Sequence, residues 1–195
     1  MAISIEEIKK LKELSGVGLT DAKKALEEAN GDFEKALAAM RKKGLTKAEK
    51  RGDRETREGV VDAYVHDGRI AAIVEVNCET SFVAKTDVFR DLAHKIAMQV
   101  ASMNPLYVSE EDIPEKTREA KKAELSENFK GPEKMKDQIL EGQMKKAFED
   151  KVLLNQPYIL DDKLTVADYI KEQIAKTGEN IVVKQFKRIE LGVTE

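Results

Sequence analysis

Apolar residues return every three positions at the start of the chain, at Ile5, Ile8, Leu11 and Leu14. That spacing predicts a helix with one apolar stripe. Ser4 and Glu7 stand in the S-x-x-E arrangement that satisfies the free amides of a first turn, so the helix should begin there. The run SGVG, residues 15–18, breaks it. A second helical pattern, LTDAKKALEEANG, closes at Asn30 and Gly31; Asp32 then caps a third, FEKALAAMRKK, which Gly44 is expected to end. Helices this short are unstable alone in water. Residues 1–44 are therefore predicted to pack as a small three-helix bundle.

The period changes after residue 58. VVDAYVH and RIAAIVEVNC are β-rich runs on either side of Asp67-Gly68, a dipeptide suited to the two-residue hairpin turn because both positions tolerate positive φ. Two strands are marginal by themselves, and NIVVKQFKRIEL, residues 180–191, alternates as a third strand should. Between them lie helical patterns. Thr86 to Met103 puts Phe89, Leu92, Ile96, Val100 and Met103 on one face, and two polar helices should open at Pro114 and Pro132. In LTVADYIKEQIAKTG, Val166, Ile170 and Ile174 recur every four residues. The fold class predicted is α+β: the helical bundle, then a core over 58–195 with a three-stranded antiparallel sheet packed on helices.

Charge changes the picture only locally. Residues 41–57 carry eight basic side chains against three acidic ones, interrupted by Gly44 and Gly52, and 45–57 reads as a solvated basic linker. An RNA-binding arm is the sharper alternative, but no aromatic interrupts the run to stack on bases. Over the whole 195 residues the balance is 34 basic to 37 acidic, a net charge of −3, which argues against wholesale nucleic-acid or membrane-surface binding. The composition, 41% hydrophobic and 36% charged, is that of a helix-rich globular chain. No apolar stretch approaches the roughly 20 residues that span a bilayer, and MAISIEEIKK has neither a secretory nor a transit pattern, so a cytoplasmic location is expected.

Candidate chemistry is sparse. The single cysteine, Cys78, excludes an intrachain disulfide and a cysteine-based zinc site, and reads as a small buried hydrophobe at the end of a strand. An enzyme reading would make Cys78 a nucleophile with His66 or His94 as its base. No phosphate loop, G-x-S-x-G or H-E-x-x-H motif is present, and no catalytic residue, metal ligand or cofactor is expected. Apolar residues do stand at two turns: Val17 and Leu19 in the bundle, Phe82 and Val83 in the core. Such residues touch a partner or fold back on their own core, and pattern alone favours folding back.

The residues KKLKELSGVGLTDAKKALEEANGDFEKALAAMRKKG and EVNCETSFVAKTDVF, with the later EGQMKK, QPYI and GENIVVKQF, resemble the bacterial elongation factor Ts family across essentially the whole chain. They resemble its short form, with one copy of the core module. The resemblance implies a bundle similar to ubiquitin-associated domains and a core that bears on the nucleotide domain of elongation factor Tu, promoting exchange of GDP for GTP. The family's GVGL-like turn, a partner contact, falls on Val17, Gly18 and Leu19. Its element credited with dislodging Mg²⁺ from Tu falls on Thr80, Ser81, Phe82 and Val83. Most members carry Asp where this chain has Ser81; serine keeps a hydrogen-bonding oxygen but loses the charge, which shifts the expected burden to Phe82.

A single-core chain further suggests a homodimer, which would supply two cores to two Tu molecules. In longer relatives a histidine of a second, similar hairpin approaches the partner's phosphate loop. His66 could play that part in a dimer or be a solvated turn residue. His94 is read as structural. The rival to an exchange factor is an adaptor that uses the bundle to bind polypeptide or ubiquitin, a view under which the TSFV corner has no purpose.

Overall fold

Ser4 opens the first helix as expected: its N–H donates to the Glu7 carboxylate at 2.9 Å, and the Glu7 N–H returns to the Ser4 hydroxyl at 3.1 Å. The structure, a computed structural model, describes residues 3–15, 18–129, 132 and 135–193. Helix α1 (Ile5–Ser15) buries Ile8 and Leu11, whereas Ile5 and Leu14 are exposed. A step of three residues falls about 60° short of a full turn, so the ends of the predicted stripe rotate out of the interface. Helix α2 (Leu19–Glu28) closes with Asn30 and Gly31 at positive φ and the Gly31 N–H donating to the Leu26 carbonyl. Asp32 caps α3 (Phe33–Glu49) through the Lys35 N–H at 3.1 Å. Ile8, Leu11, Ala22, Leu26, Ala36 and Met40 form the bundle's own core.

The chain continues as β1 (Glu58–His66), β2 (Ile70–Cys78), α4 (Ser81–Ala84), α5 (Asp87–Met103), α6 (Glu115–Glu127), α7 (Lys136–Phe148), β3 (Pro157–Tyr158), β4 (Asp161–Thr165), α8 (Val166–Thr177) and β5 (Ile181–Glu190). β1, β2 and β5 form an antiparallel sheet with β2 central. Asp67 and Gly68 both have positive φ, 48° and 65°, and the Arg69 N–H donates to the His66 carbonyl. The register pairs His66 with Ile70, however, so Arg69 joins the loop as a third residue.

The inner face of the sheet presents Ala72, Val74, Val76, Cys78, Ile181 and Val183 to Phe89, Leu92, Ile96 and Val100 of α5. Met103, the last residue of the predicted α5 face, is exposed. Val166, Ile170 and Ile174 of α8 complete the core. Pro114 precedes α6 as expected, while the second polar helix is described from Lys136 rather than from Pro132. Two buried amides bond each other at 3.1 Å: Gln99 of α5 also donates to the Pro157 carbonyl and accepts the Ile159 N–H, and Gln156 donates to the Met103 and Asp150 carbonyls, so neither leaves an unmet polar group.

The stop predicted at Gly44 is not there. α3 runs five residues further, Ala48 enters the main core, and Gly44 is buried where a Cβ would meet that of Ala175 in α8 at 3.4 Å. The missing side chain lets α3 approach α8 closely; it does not end the helix. Beyond α3, Arg51 donates to the Ile174 carbonyl at 3.0 Å, and the Asn180 side chain donates to the carbonyls of Gly52 and Arg54. At these points the basic run is tied to the core.

Candidate partner-binding site

Strand β2 ends at buried Cys78, and the chain must turn before α5 begins. It does so through α4, a single turn bracketed by two threonine caps. The Thr80 hydroxyl accepts the Val83 N–H at 3.4 Å; the Thr86 hydroxyl accepts the Phe89 N–H at 3.3 Å and donates back to the Val83 carbonyl at 2.8 Å. Successive helical residues are about 100° apart, so the turn shares out its faces. Ala84 is buried, Val83 packs against the core, Ser81 is half-buried, and Phe82 is 84% exposed. Among the described residues no other large apolar side chain stands so far in solvent. The turn at Phe82 and Val83 is thus a capped one in which Val83 folds back on the core, as the pattern favours, and Phe82 does not.

What holds the turn from behind is a pair of carboxylates. Glu179, at the junction of α8 and β5, accepts the N–H groups of Glu79 and Thr80 on Oε2 at 3.1 and 3.0 Å, and the Thr80 hydroxyl on Oε1 at 2.5 Å. Glu79 answers by accepting the Asn180 N–H at 2.6 Å and the Arg54 guanidinium at 3.3 Å. Sequence reading missed Glu179 and Asn180. They lie about a hundred positions from the turn, and nothing in the local pattern of GENIVVKQF says which distant backbone they would meet.

The remaining candidates are scattered. Gly18 immediately precedes α2 in an extended conformation and Leu19, the first residue of that helix, is 47% exposed; Val17 lies outside the described residues. His66 is exposed at the hairpin tip, with the Tyr64 hydroxyl 3.0 Å from its Nδ1 and the Asp67 carboxylate 3.9 Å from its Nε2. His94 faces Asp62 at 3.6 Å and meets the edge of the same Tyr64 ring. Along β2, the eight steps from Ile70, opposite His66, to Cys78 span about 26 Å, so His66 and the Phe82 turn occupy opposite ends of the sheet.

That separation also removes the pairing of Cys78 with His66. Burial, and secondarily the charge of Glu179, push the Cys78 thiol up to about 11, and its Sγ donates to the Thr80 carbonyl at 3.3 Å. It is an inaccessible thiol where a nucleophile needs an accessible thiolate. Among the described residues no group of three His, Cys, Asp or Glu side chains is placed to hold a metal ion, and no helix is long and apolar enough to cross a membrane.

One more surface stands out. The outer face of the sheet carries exposed Val61, Val65, Ile73 and Ile189, with Ala63 opposite Ile73 and Ala71 between Val65 and Ile189. This is an apolar patch where an open antiparallel sheet ordinarily turns polar side chains to water.

Comparison with known proteins follows the same lines. A family model described as elongation factor TS matches residues 6–193. A protein named elongation factor Ts from Thermotoga maritima is 52% identical over 197 residues, covering 98% of each chain. Its namesake from Moorella thermoacetica is 50% identical, covering 97% of this chain and 96% of its own. That from Fervidobacterium nodosum is 46% identical, covering 98% of this chain and all of its own.

Proposed function

This chain belongs to the elongation factor Ts family, a nucleotide-exchange factor for elongation factor Tu rather than an enzyme, and from that premise we propose that the Phe82 turn is the element that loosens Tu's grip on GDP. The observation that carries the reading is the 84% exposure of Phe82 on a turn capped at both ends. A large apolar ring kept in water by a fixed backbone is a side chain prepared for another protein's interior.

The physics of the partner makes this sufficient. A GTPase holds its nucleotide through backbone amides around the phosphates and through Mg²⁺, so a small displacement of the metal's supports removes much of the electrostatic stabilisation. Phe82, entering between elements of Tu's nucleotide domain with Thr80, Ser81 and Val83 around it, supplies that displacement and dislodges Mg²⁺. Burying the ring contributes roughly 2–3 kcal/mol against the distortion. Coupling is reciprocal: by whatever factor the bound chain weakens GDP, GDP weakens the chain. No bond is made or broken here, and GTP completes the exchange by mass action.

Leu19 and Gly18, with Val17, form the second contact, made by the bundle (1–44) while the core (58–195) delivers Phe82; the 45–57 segment joins the two. The exposed outer face of the sheet supports self-association, two cores meeting through Val61, Val65, Ile73 and Ile189 to make a homodimer that serves two Tu molecules. Such a dimer offers His66 as a further contact, although its hydrogen bond with Tyr64 and the nearby Asp67 carboxylate suit a solvated turn residue equally well.

The test is direct. Tu loaded with fluorescent GDP is mixed with the chain and with excess unlabelled nucleotide; accelerated loss of signal is expected, and a release rate equal to that of Tu alone would refute the reading.

A further inference from the structure

We propose that Glu179 is the positioning residue for Phe82, acting through Thr80, an assignment that rests on the role of Phe82 argued above. Phe82 has almost no packing of its own, so its direction is set by the backbone of α4. A helix of four residues cannot hold itself. At its far end the turn is anchored by buried Ala84 and by the Thr86 hydroxyl on the Val83 carbonyl. At its near end the anchor is the Glu179 carboxylate.

A continuous run of hydrogen bonds leads from that carboxylate to the backbone of α4 beside Phe82. Oε2 accepts the N–H groups of Glu79 and Thr80, Oε1 accepts the Thr80 hydroxyl, and the same hydroxyl accepts the N–H of Val83, the residue after Phe82. Bonds to an ionised acceptor are about twice as strong as neutral ones, and a carboxylate taking three of them fixes the Thr80 backbone and its rotamer together. Glu179 is itself braced. Its N–H donates to the Thr177 hydroxyl at 3.3 Å, and the next residue, Asn180, is buried with its N–H on the Glu79 carboxylate. The two junctions therefore hold each other.

Preorganisation of this kind lowers the entropic cost of inserting the ring, so Glu179 acts on the step in which Phe82 enters Tu and not on contact with Tu as such. Its loss should lower the maximal release rate more than it raises the concentration needed for half-maximal release.

A double-mutant cycle tests this. GDP release from Tu is followed at a series of concentrations of the unmodified chain, Glu179→Ala, Phe82→Ala and the double variant, with the thermal midpoint of each recorded. Glu179→Ala is expected to lower the maximal rate about fivefold or more, the double variant to be no slower than Phe82→Ala alone, and Glu179→Gln, which keeps one carbonyl acceptor, to fall between. Should Glu179→Ala unfold at the assay temperature, Glu179→Gln carries the cycle. Losses that multiply in the double variant, or a Glu179 variant as fast as the unmodified chain beside a slow Phe82→Ala, would overturn the positioning role. A Phe82→Ala chain with undiminished release would overturn the reading beneath it, whatever Glu179 does.

Discussion

The Arg51 guanidinium donates to the Ile174 carbonyl at 3.0 Å, joining the end of α3 to the last turn of α8 across 123 positions of sequence. The same carbonyl accepts the Gly178 N–H that closes α8, so a cation sits where the helix dipole is most negative. Removing it should cost about 1–2 kcal/mol. Arg51→Ala is therefore expected to lower Tm by roughly 2–8 °C, with Arg51→Lys recovering only part because an ammonium is the more strongly hydrated cation and gives up more water to reach the carbonyl. Thermal unfolding checks the size, and hydrogen exchange over residues 45–57, faster in Arg51→Ala, checks the place.

Cys78 gives a pH signature. Burial raises its thiol from about 9 to about 11, so the folded chain holds the proton that the unfolded chain releases. Stability from the neutral thiol is complete below pH 9 and is lost as pH climbs towards 11. Cys78→Ala should flatten the fall in Tm between pH 9 and pH 10 relative to the unmodified chain, while GDP release at neutral pH stays within about twofold because the thiol does no chemistry. Lost release in Cys78→Ala, with the fold intact, would restore the nucleophile reading.

How far the sequence carries is seen best at particular residues. The capping box at Ser4, the Asp32 cap, the hairpin around Asp67-Gly68 and the third strand were legible because each rests on contacts within a few residues or on a simple period of two. Gly44 was misleading for a physical reason: the same residue that ends helices also permits close helix packing, and only the presence of Ala175 opposite it decides which. Phe82 could be singled out as an apolar residue at a corner, yet its exposure depends on Ala84 taking the inward face of the same turn. Glu179 carried no local signal at all. Its role is created by the sheet, which sets the start of β5 beside the end of β2 through the pairing of Ile181 with Cys78.

The outer face of the sheet predicts an oligomeric state. Ile73 lies on the central strand, directly opposite Lys187 of β5, so Ile73→Glu would gain an ion-pair partner within the subunit while placing a charge in the middle of the apolar patch. Sedimentation of the unmodified chain should give a mass about twice 21.9 kDa at micromolar concentration, and Ile73→Glu the monomer mass with Tm little changed. A monomer in both cases removes the dimer and with it the part assigned to His66.

The central claim is that an exposed ring, and not the polar side chain of Ser81 beside it, opens Tu. Burying a phenylalanine is worth roughly 2–3 kcal/mol, or about 30- to 160-fold in rate if all of it is realised as the ring inserts. The decisive measurement is stimulated GDP release from Tu by Phe82→Ala and Ser81→Ala, side by side at saturating factor. Phe82→Ala is expected to be slower by about tenfold or more, with Ser81→Ala within about twofold of the unmodified chain; the opposite order, Ser81→Ala crippled and Phe82→Ala intact, would contradict it.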